Sequence, residues 1–386
     1  MNFFVKLFLF SQCILETISK NESSIIVDGD SESSETRVKK SILRDRKFKW
    51  SLPIHYHISF GVNRELIKSA LAILERETCI RFRESNDFRN GGINYVQKGA
   101  DCYSHIGKIS RGWAQEIVLG SQCHKVPIVL HETMHALGMI HEMSRHDRNS
   151  YIKLNYQNID YDVIYNSQPY HLSKATPYGL KYDYGSLMHY DRFAGSINGR
   201  LAMEPKYWSY LKTMGQGIRL GFNDAKQLNI HYCSDKCRDS KLNCKMNGYP
   251  DPNKKCTVCK CPPFYTGTRC TELFPSQRQC GATRLNAKNT DQPLIVNGIK
   301  TCYIQITAPL GRKVRLHIGE LSFRDSFTCQ PNKGLEVKFL ADKSVSGALF
   351  CGRVVGGFIT SENNVVVMKY VGLTRFSSIR IRYRYV

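Results

Sequence analysis

The stretch that decides the fold is HETMHALGMIHE, which runs from His131 to Glu142. On a helix, His131 and His135 lie one turn apart on the same face, so their imidazoles can bind a single Zn²⁺. Glu132 then lies beside the metal and can reach a water bound there, which is the position that a general base requires. The stretch therefore predicts a zinc site with a catalytic carboxylate.

The third histidine of this stretch explains its glycine. His141 follows His135 by six residues, and a helix that turns about 100° per residue would direct His141 away from the metal. The helix must therefore end early, and Gly138 can take a left-handed turn without a Cβ penalty. His-Glu-x-x-His alone often arises by chance, but the added glycine and third histidine match the metzincin pattern. We predict that His131, His135 and His141 bind one zinc ion per chain.

A second motif, SLMHY at residues 186–190, resembles the Met-turn that metzincins place beneath their zinc ligands. Several residues that follow the third histidine restrict the resemblance to one family of metzincins. With Glu142, Ser144-Arg145 and Asp147-Arg148, the sequence resembles the astacin family of zinc endopeptidases.

The resemblance assigns roles to the residues of the Met-turn. Tyr190 would be a further zinc ligand in the resting enzyme and would stabilise the oxyanion when substrate binds. Met188 would lie under the zinc, although a lone methionine is more typical of core packing. His189 is expected to be structural rather than a ligand.

The length and charge of the chain limit the number of domains and the kinds of partner that can be expected. A chain of 386 residues is too long for one compact core and indicates two or three domains. The formal charge is +22, and from residue 271 onward 17 Lys and Arg face 7 Asp and Glu. Such a surface can bind acidic glycans, nucleic acid or acidic substrates. A soluble basic surface is the simpler interpretation because no nucleic-acid motif accompanies the charge, so no nucleic-acid partner is predicted.

The cysteines and the N-terminus indicate a secreted protein. Fifteen cysteines favour an oxidising, extracellular environment. Residues 1–19 carry one lysine and a short apolar run, which has the length of a secretory signal peptide rather than a membrane span. No other stretch is long enough to cross a bilayer. We therefore predict a secreted protein with no membrane span.

Residues 20–40 are polar and rich in serine and acidic residues, and they are predicted to form a propeptide. Asn21 lies in a glycosylation acceptor sequence. VDGD at residues 27–30 resembles the short motif whose aspartate blocks the zinc of astacin zymogens. Asp30 would be that aspartate, with a plain turn as the alternative interpretation.

The mature N-terminus is expected at Ser41, because RVKK at residues 37–40 is a basic processing site. Cleavage after Arg44 or after Arg46 remains possible. By the resemblance, the freed amine of Ser41 would be buried and would pair with Glu142, since a buried charge requires a partner.

The predicted fold class is an α+β metzincin catalytic domain at residues 41–234, with two subdomains, a zinc helix and a Met-turn. Ile54–Ile58 alternates like a strand. Asn63 can cap a helix whose apolar residues share one face. These residues are Ile67, Ala70, Leu71 and Leu74. The resemblance also implies two disulfides, Cys79–Cys233 and Cys102–Cys123.

Residues 235–271 are predicted to form an EGF-like module. Six cysteines lie between Cys237 and Cys270, and so short a segment must be cross-linked because it cannot bury enough apolar surface. A zinc site is the less favoured interpretation in a secreted chain. The spacing of the last cysteines resembles the end of an EGF-like module. That resemblance implies the pairs Cys237–Cys256, Cys244–Cys259 and Cys261–Cys270.

Residues 280–386 are predicted to form an all-β sandwich that resembles a CUB domain, with the disulfides Cys280–Cys302 and Cys329–Cys351. Alternating segments predict strands, which are Tyr303–Ile306, Val314–Ile318, Leu335–Leu340, Val365–Val371 and Ile379–Tyr385. The last strand places its arginines on one face. They can form a ligand-binding stripe, but a solvated sheet face is the simpler interpretation.

These observations predict a secreted zinc metalloendopeptidase that is made as a zymogen. It would hydrolyse extracellular or matrix proteins with a zinc-activated water and Glu132 as the general base. Its further partners would be matrix or protein ligands of the CUB domain. The alternative is a catalytically inert extracellular protein that acts through its EGF-like and CUB modules.

Overall fold

The computed structural model describes residues 42–109, 111–171 and 173–386, and of residues 162, 165 and 166 it describes the backbone alone. The expected signal peptide and propeptide, including Asn21 and Asp30, lie outside the described residues, as does Ser41. The described chain divides into two compact units. Unit 1 runs to Leu180 and includes Phe193–Glu204, and unit 2 comprises Lys181–Arg192 and Pro205–Val386. Within these ranges, no helix has the length and apolarity needed to cross a bilayer.

Unit 1 is built on a five-stranded sheet. Its strands are β2 (Ile54–Ile58), β3 (Phe82–Glu84), β4 (Gly92–Val96), β5 (Cys102–Ser104) and β6 (Ala114–Leu119). They lie in the order β3-β2-β4-β6-β5, and all pairs are parallel except the edge pair of β5 with β6. Two small ladders complete the unit, β1 (Ile42–Leu43) with β8 (Ala175–Thr176) and β7 (Ile152–Leu154) with β9 (Met203–Pro205).

The helices of unit 1 are α1 (Arg64–Glu77), α2 (Val126–Ala136) and α3 (Tyr161–Asn166). The first two pack against each other, and α2 also lies against β5 and β6. As predicted, α1 begins after Asn63, whose side chain accepts a hydrogen bond from the Leu66 N–H at 3.1 Å. Its buried face consists of the four predicted residues, Ile67, Ala70, Leu71 and Leu74. Burial of each larger aliphatic side chain contributes about 1.5–3 kcal/mol, which fixes α1 against α2.

Short 3₁₀ helices connect these elements. In unit 1 they are Arg46–Phe48, Glu142–Ser144, Arg148–Ser150 and Tyr156–Asn158. In unit 2 they are Trp208–Tyr210, Pro252–Lys254 and Arg278–Cys280.

Unit 2 begins with the segment that contains the SLMHY motif and with helix α4 (Phe222–Cys233). Asp224 in the first turn of α4 ties the two together. Its carboxylate accepts hydrogen bonds from the Ser186 hydroxyl at 2.6 Å and from the Leu187 N–H at 2.9 Å. It also accepts the Gly221 N–H at 2.9 Å, which caps the helix. One buried carboxylate therefore fixes both the turn and the start of α4.

A small disulfide-rich segment follows α4. It contains two short hairpins, β10 (Tyr249–Pro250) with β11 (Cys259–Lys260), and β12 (Tyr265–Thr266) with β13 (Glu272–Leu273). Its few buried side chains include Phe264 and Tyr265, which cluster with Val367 of the following sandwich. So small a core cannot hold the segment without the covalent links.

Six disulfides join pairs that the resemblance implied. They are Cys102–Cys123, Cys237–Cys256, Cys244–Cys259, Cys261–Cys270, Cys280–Cys302 and Cys329–Cys351. Cys79 and Cys233 are each disulfide-bonded as well. Their pairing with each other stays a prediction.

Two sheets form the sandwich at the end of unit 2. One contains β14 (Arg284–Asn286), β16 (Lys300–Thr307), β22 (Val365–Gly372), β18 (Gly334–Lys338) and β19 (Ala348–Phe350), in that order. The other contains β15 (Gln292–Asn297), β23 (Ser378–Tyr385), β17 (Val314–Ser322) and β20 (Arg353–Val355), and β21 (Phe358–Thr360) also pairs with β17. Ile304, Leu316 and Met368 are fully buried in its core. All five segments predicted from alternation contain strands, although the one predicted at Leu335–Leu340 already ends at Lys338.

Replacement of Asp224 by Asn should destabilise unit 2. The amide turns one accepting oxygen into a donor, so one of the three buried groups bound to Asp224 loses its acceptor. A buried unsatisfied polar group costs about 1–3 kcal/mol. Calorimetry should therefore show a lower unfolding temperature. The matched control is Asp235→Asn at an exposed position just after α4, and equal unfolding temperatures in both variants would contradict this role of Asp224.

Candidate metal centre

Helix α2 carries the first two histidines and the glutamate. Pro127 occupies its first turn, where a missing N–H is tolerated. Most of the helix is buried, including Val129, Leu130 and Met134. Burial on this scale fixes the rotation of the helix, and the four-residue spacing places His131 and His135 on one side of it.

The helix ends at Ala136, as the glycine predicted. Gly138 has φ +100°, which lies in the region that favours glycine. The Gly138 N–H donates to the His135 carbonyl at 2.7 Å, and the Met139 N–H donates to the Met134 carbonyl at 3.0 Å. This pair of bonds is the Schellman motif, which closes a helix and reverses the chain. The reversal brings His141 back toward α2.

The three imidazoles converge as predicted. The Nε2 atom of His141 lies 3.2 Å from that of His131 and 3.1 Å from that of His135. The three possible ligand atoms lie within 4.8 Å of one another. Nitrogen ligands about 2.0–2.1 Å from a tetrahedral zinc ion lie roughly 3.3–3.4 Å apart. The spacing of the nitrogens therefore fits one zinc ion.

The tautomer of His135 also suits a metal. Its Nδ1 lies 2.8 Å from the Met139 carbonyl, to which it donates, so its Nε2 carries the lone pair that faces the other histidines. Burial lowers the pKa of His135 to about 3, with a further contribution from the charge of His131. A neutral imidazole is the form that binds zinc. The turn at Gly138 thus supplies both the third ligand and the carbonyl that orients the second.

Glu132 is buried beside the histidines, and its Oε2 atom has no hydrogen-bond partner within the described part of the chain. Burial raises the pKa of its carboxyl to about 8. A nearby divalent cation opposes this shift because it favours the carboxylate. A buried carboxylate oxygen without a protein partner is what a group that handles a proton of a water molecule requires.

Contacts from other elements of unit 1 hold α2 in place. The Trp50 indole N–H donates to the Ala136 carbonyl at 2.7 Å, at the last residue of the helix. The Tyr95 hydroxyl and the Thr133 hydroxyl are 3.0 Å apart. These bonds attach the end of α2 and its central turn to the rest of unit 1.

A buried ion network that the sequence motifs did not predict follows the third histidine. Arg145 donates from Nη1 to Glu142 at 3.0 Å, and from Nε and Nη2 to the two oxygens of Asp147 at 2.9 and 3.0 Å. Its Nη2 also reaches the Leu180 carbonyl at 3.1 Å. All three charged side chains are at least 92% buried. In the sequence, Arg145 lies three residues after Glu142 and two before Asp147, and this spacing could have indicated the network.

The SLMHY motif lies in unit 2. Met188 is fully buried, and Tyr190 is half-buried. His189 uses both ring nitrogens within its own unit, one 2.7 Å from the Tyr182 hydroxyl and the other 2.7 Å from the Tyr190 carbonyl. Burial lowers the pKa of His189 to about 4. The pattern is that of a structural histidine, and the roles of Met188 and Tyr190 stay predictions.

The chain is similar to known zinc proteases. A family model described as Astacin, a peptidase family, matches residues 42–233. Zinc metalloproteinase nas-34 of Caenorhabditis elegans is 35% identical over 357 residues, which cover 90% of this chain and 58% of nas-34. Zinc metalloproteinase nas-26 of the same nematode is 32% identical over 367 residues, which cover 90% of this chain and 86% of nas-26. The chain belongs to the astacin family.

A solved structure is similar to part of the chain. It is that of High choriolytic enzyme 1, a hatching enzyme zinc-protease of the medaka fish Oryzias latipes. The two share 30% identity with a TM-score of 0.46, over 50% of this chain and 98% of the fish enzyme. Astacins are zinc metalloendopeptidases, and the cluster of His131, His135 and His141 in this astacin is consistent with one zinc ion per chain.

Replacement of Gly138 by Ala should weaken zinc binding. The added Cβ would meet its nearest neighbour at 3.6 Å, so space is available and the strain comes from φ +100°. A non-glycine residue in this region costs about 1–2 kcal/mol, and relaxation of the turn would move His141 and the Met139 carbonyl. Competition with a zinc chelator should show a higher dissociation constant for zinc.

The matched control for this change is Gly112→Ala. Gly112 also has a positive φ, of +80°, with no heavy atom within 4 Å of an added Cβ. It should lose similar stability without loss of zinc affinity. An unchanged zinc affinity in the Gly138 variant would show that the turn does not position the third ligand.

Proposed function

We propose that this astacin is a secreted endopeptidase that hydrolyses peptide bonds in extracellular or matrix proteins. One observation carries the proposal: Glu132, which follows the first of three converging histidines on α2, is buried and has an oxygen with no hydrogen-bond partner among the described residues. A structural zinc site would have no need of a buried carboxylate with a free acceptor, because four protein ligands would close it. A three-ligand site leaves a position open for chemistry.

Zinc, when bound, supplies Lewis-acid chemistry toward the scissile carbonyl and lowers the pKa of water. Glu132 takes the proton that the attacking water loses and then gives it to the leaving amine. Burial raises the pKa of this carboxyl and bound zinc opposes that shift, so the two effects together set how readily Glu132 takes up and releases the proton. Tyr190 donates its hydroxyl hydrogen to the oxyanion, and Met188 forms the floor of the site as the Met-turn residue.

The mature N-terminus would be part of the active enzyme. Ile42 is fully buried, and it pairs with Thr176 of β8 and forms a bridge with Met139. The Leu43 N–H donates to the Gly138 carbonyl at 3.0 Å. These contacts hold the start of the described chain against the zinc-binding turn. We propose that the amine of Ser41 pairs with buried Glu142, in addition to the bond from Arg145.

The remaining segments would serve secretion and latency. We propose a signal peptide at residues 1–19 and a propeptide at residues 20–40, in which Asp30 takes the position of the catalytic water and Asn21 is glycosylated. The peptidase domain would occupy residues 41–234, followed by an EGF-like module at residues 235–271 and a CUB domain at residues 280–386. The disulfide density supports an extracellular location.

Replacement of Glu132 by Ala should abolish proteolysis while zinc stays bound. General acid–base catalysis contributes about 10²–10⁴-fold, so the cleavage rate of a quenched fluorescent peptide should fall by at least that factor. Glu132→Gln, which keeps the shape, should be as inactive. Glu65→Gln on the exposed face of α1 is the control. Wild-type activity in the Glu132 variants would refute the assignment of the base.

Replacement of Tyr190 by Phe should lower kcat about 10²-fold with little change in KM, because the hydroxyl acts on the oxyanion and not on the bound substrate. The zinc content should stay the same. Tyr161→Phe, which alters a tyrosine that is 76% exposed, should have no effect. A rise in KM at constant kcat would show instead that Tyr190 contributes only to substrate binding.

A further inference from the structure

The outer face of one sandwich sheet carries a cluster of positive side chains. Strands β17 and β23 are neighbours, and their inward residues Leu316, Ile381 and Tyr383 are buried. The residues between them point outward. They are Arg315 and His317 on β17 and Arg380, Arg382 and Arg384 on β23.

The register of the two strands places like charges opposite one another. Arg315 pairs directly with Arg384, and His317 pairs directly with Arg382. Direct cross-strand pairs of like charge destabilise a sheet. The like-charge pair is that of Arg315 and Arg384, since in the other pair Nη2 of Arg382 donates a hydrogen bond to Nδ1 of His317 at 2.8 Å. The two guanidinium groups of the first pair gain no such bond from each other, so the arrangement suits an external anion.

Two carboxylates lie beside these groups. Glu320 is the direct cross-strand partner of Arg380 and accepts a hydrogen bond from Nε of Arg353 at 3.0 Å. Asp291 lies 3.9 Å from Nε of Arg382 and 3.8 Å from Nε of Arg384. Both distances exceed those of hydrogen bonds. The Nε atom of Arg315 is buried and has no hydrogen-bond partner within the described ranges. Among the described residues, Arg315, Arg382 and Arg384 therefore keep guanidinium donors that are not hydrogen-bonded to a protein oxygen.

An aromatic ring lies among these donors. Phe358 of β21 is 52% exposed. Its ring stacks on His317 with centroids 4.8 Å apart, and the Arg315 guanidinium lies over it at 4.5 Å. The ring and the charged groups line a cavity of about 260 Å³ with Asp291 at its edge. Small-molecule pockets usually measure about 300–1,000 Å³, so this cavity holds one charged group or one ring of a larger ligand.

We propose that this cavity, the arginine pocket, binds a sulfated polysaccharide. A sulfate ester keeps its negative charge at every physiological pH and offers several acceptor oxygens to the unpaired guanidinium donors. A sugar ring can pack on the exposed face of Phe358. The arginines of β23 recur every second residue, about 6.8 Å apart along an extended strand. A linear polymer with repeated anionic groups can meet several of them at once.

The other polyanions fit less well. An extended acidic peptide would gain most from an unpaired strand edge, but β17 and β23 are both internal to their sheet. A nucleic acid would gain most from aromatic groups on which successive bases stack, and this pocket offers one such ring. The proposal is independent of the peptidase site, since the arginine pocket contains none of its residues.

The test measures binding of the full-length zinc enzyme to a fluorescent oligosaccharide prepared from heparin, at about 0.15 M salt. The double change Arg382→Gln with Arg384→Gln should weaken binding at least about tenfold. The slope of log affinity against log salt concentration should fall by the amount expected for about two lost ionic contacts. The control changes Arg284 and Arg375, two exposed arginines of the same sandwich, to Gln. It removes the same charge and should alter affinity less than twofold.

Further measurements complete the test. Cleavage of a short peptide and the unfolding temperature should be the same in both double variants, which shows that they are folded. Phe358→Leu should weaken binding of the oligosaccharide and keep its salt dependence. Equal losses in the pocket and control variants would show that the total charge alone acts and would overturn the proposal. Equal binding of the desulfated oligosaccharide, or tighter binding of polyglutamate or of single-stranded DNA, would also overturn it.

Discussion

The convergence of three imidazoles on one point is the constraint on which the rest of the catalytic structure depends. Nitrogen atoms only 3.1–3.2 Å apart, each directed at the same space, are stable together when a cation lies between them. The arrangement requires that the helix stop after Ala136 and that the chain reverse at Gly138. The Schellman bonds at this turn satisfy carbonyls that a helix end would otherwise leave unpaired. One turn therefore closes the helix, returns His141 and supplies the Met139 carbonyl.

Buried polar groups hold the surroundings of this turn in a fixed geometry. The guanidinium of Arg145 bonds both Glu142 and Asp147, so the segment after the third histidine has little freedom. In unit 2, Asp224 does the same for the SLMHY motif. A broken network of this kind leaves an unpaired buried charge, which is strongly destabilising. Within each unit, buried charged groups thus fix a segment that the sequence motifs had singled out.

The sequence predicted the parts of this structure that depend on local spacing. The three histidines, the helix end at Gly138 and the Asn63 cap each follow from residues close together in the chain, and the structure confirms them. The longer sandwich strands were also predictable because alternation over five or more residues is a strong signal. The strands β14, β19, β20 and β21 have three residues each, too few for a pattern. β15 was missed because Pro293 interrupts it.

Contacts between distant residues were beyond such reasoning. Nothing in the sequence states that Trp50 bonds the end of the zinc helix, or that Arg315 and Arg384 face each other across two strands. These contacts depend on the order and register of strands, which hydrophobic patterns alone do not determine. The arginine stripe of β23 was visible in the sequence. Whether this stripe forms part of a pocket depends on Arg315, His317 and Phe358. These residues lie on β17 and β21 and line the same cavity.

The central claim is that His131, His135 and His141 together bind the catalytic zinc. The most direct measurement is the zinc content of the purified, processed enzyme by mass spectrometry, combined with X-ray absorption at the zinc edge. The account predicts one zinc ion per chain with at least three imidazole nitrogens about 2.0–2.1 Å away, and loss of the metal in His141→Ala. An enzyme that cleaves peptides without stoichiometric zinc, or a His141→Ala variant with an unchanged zinc spectrum, would contradict it.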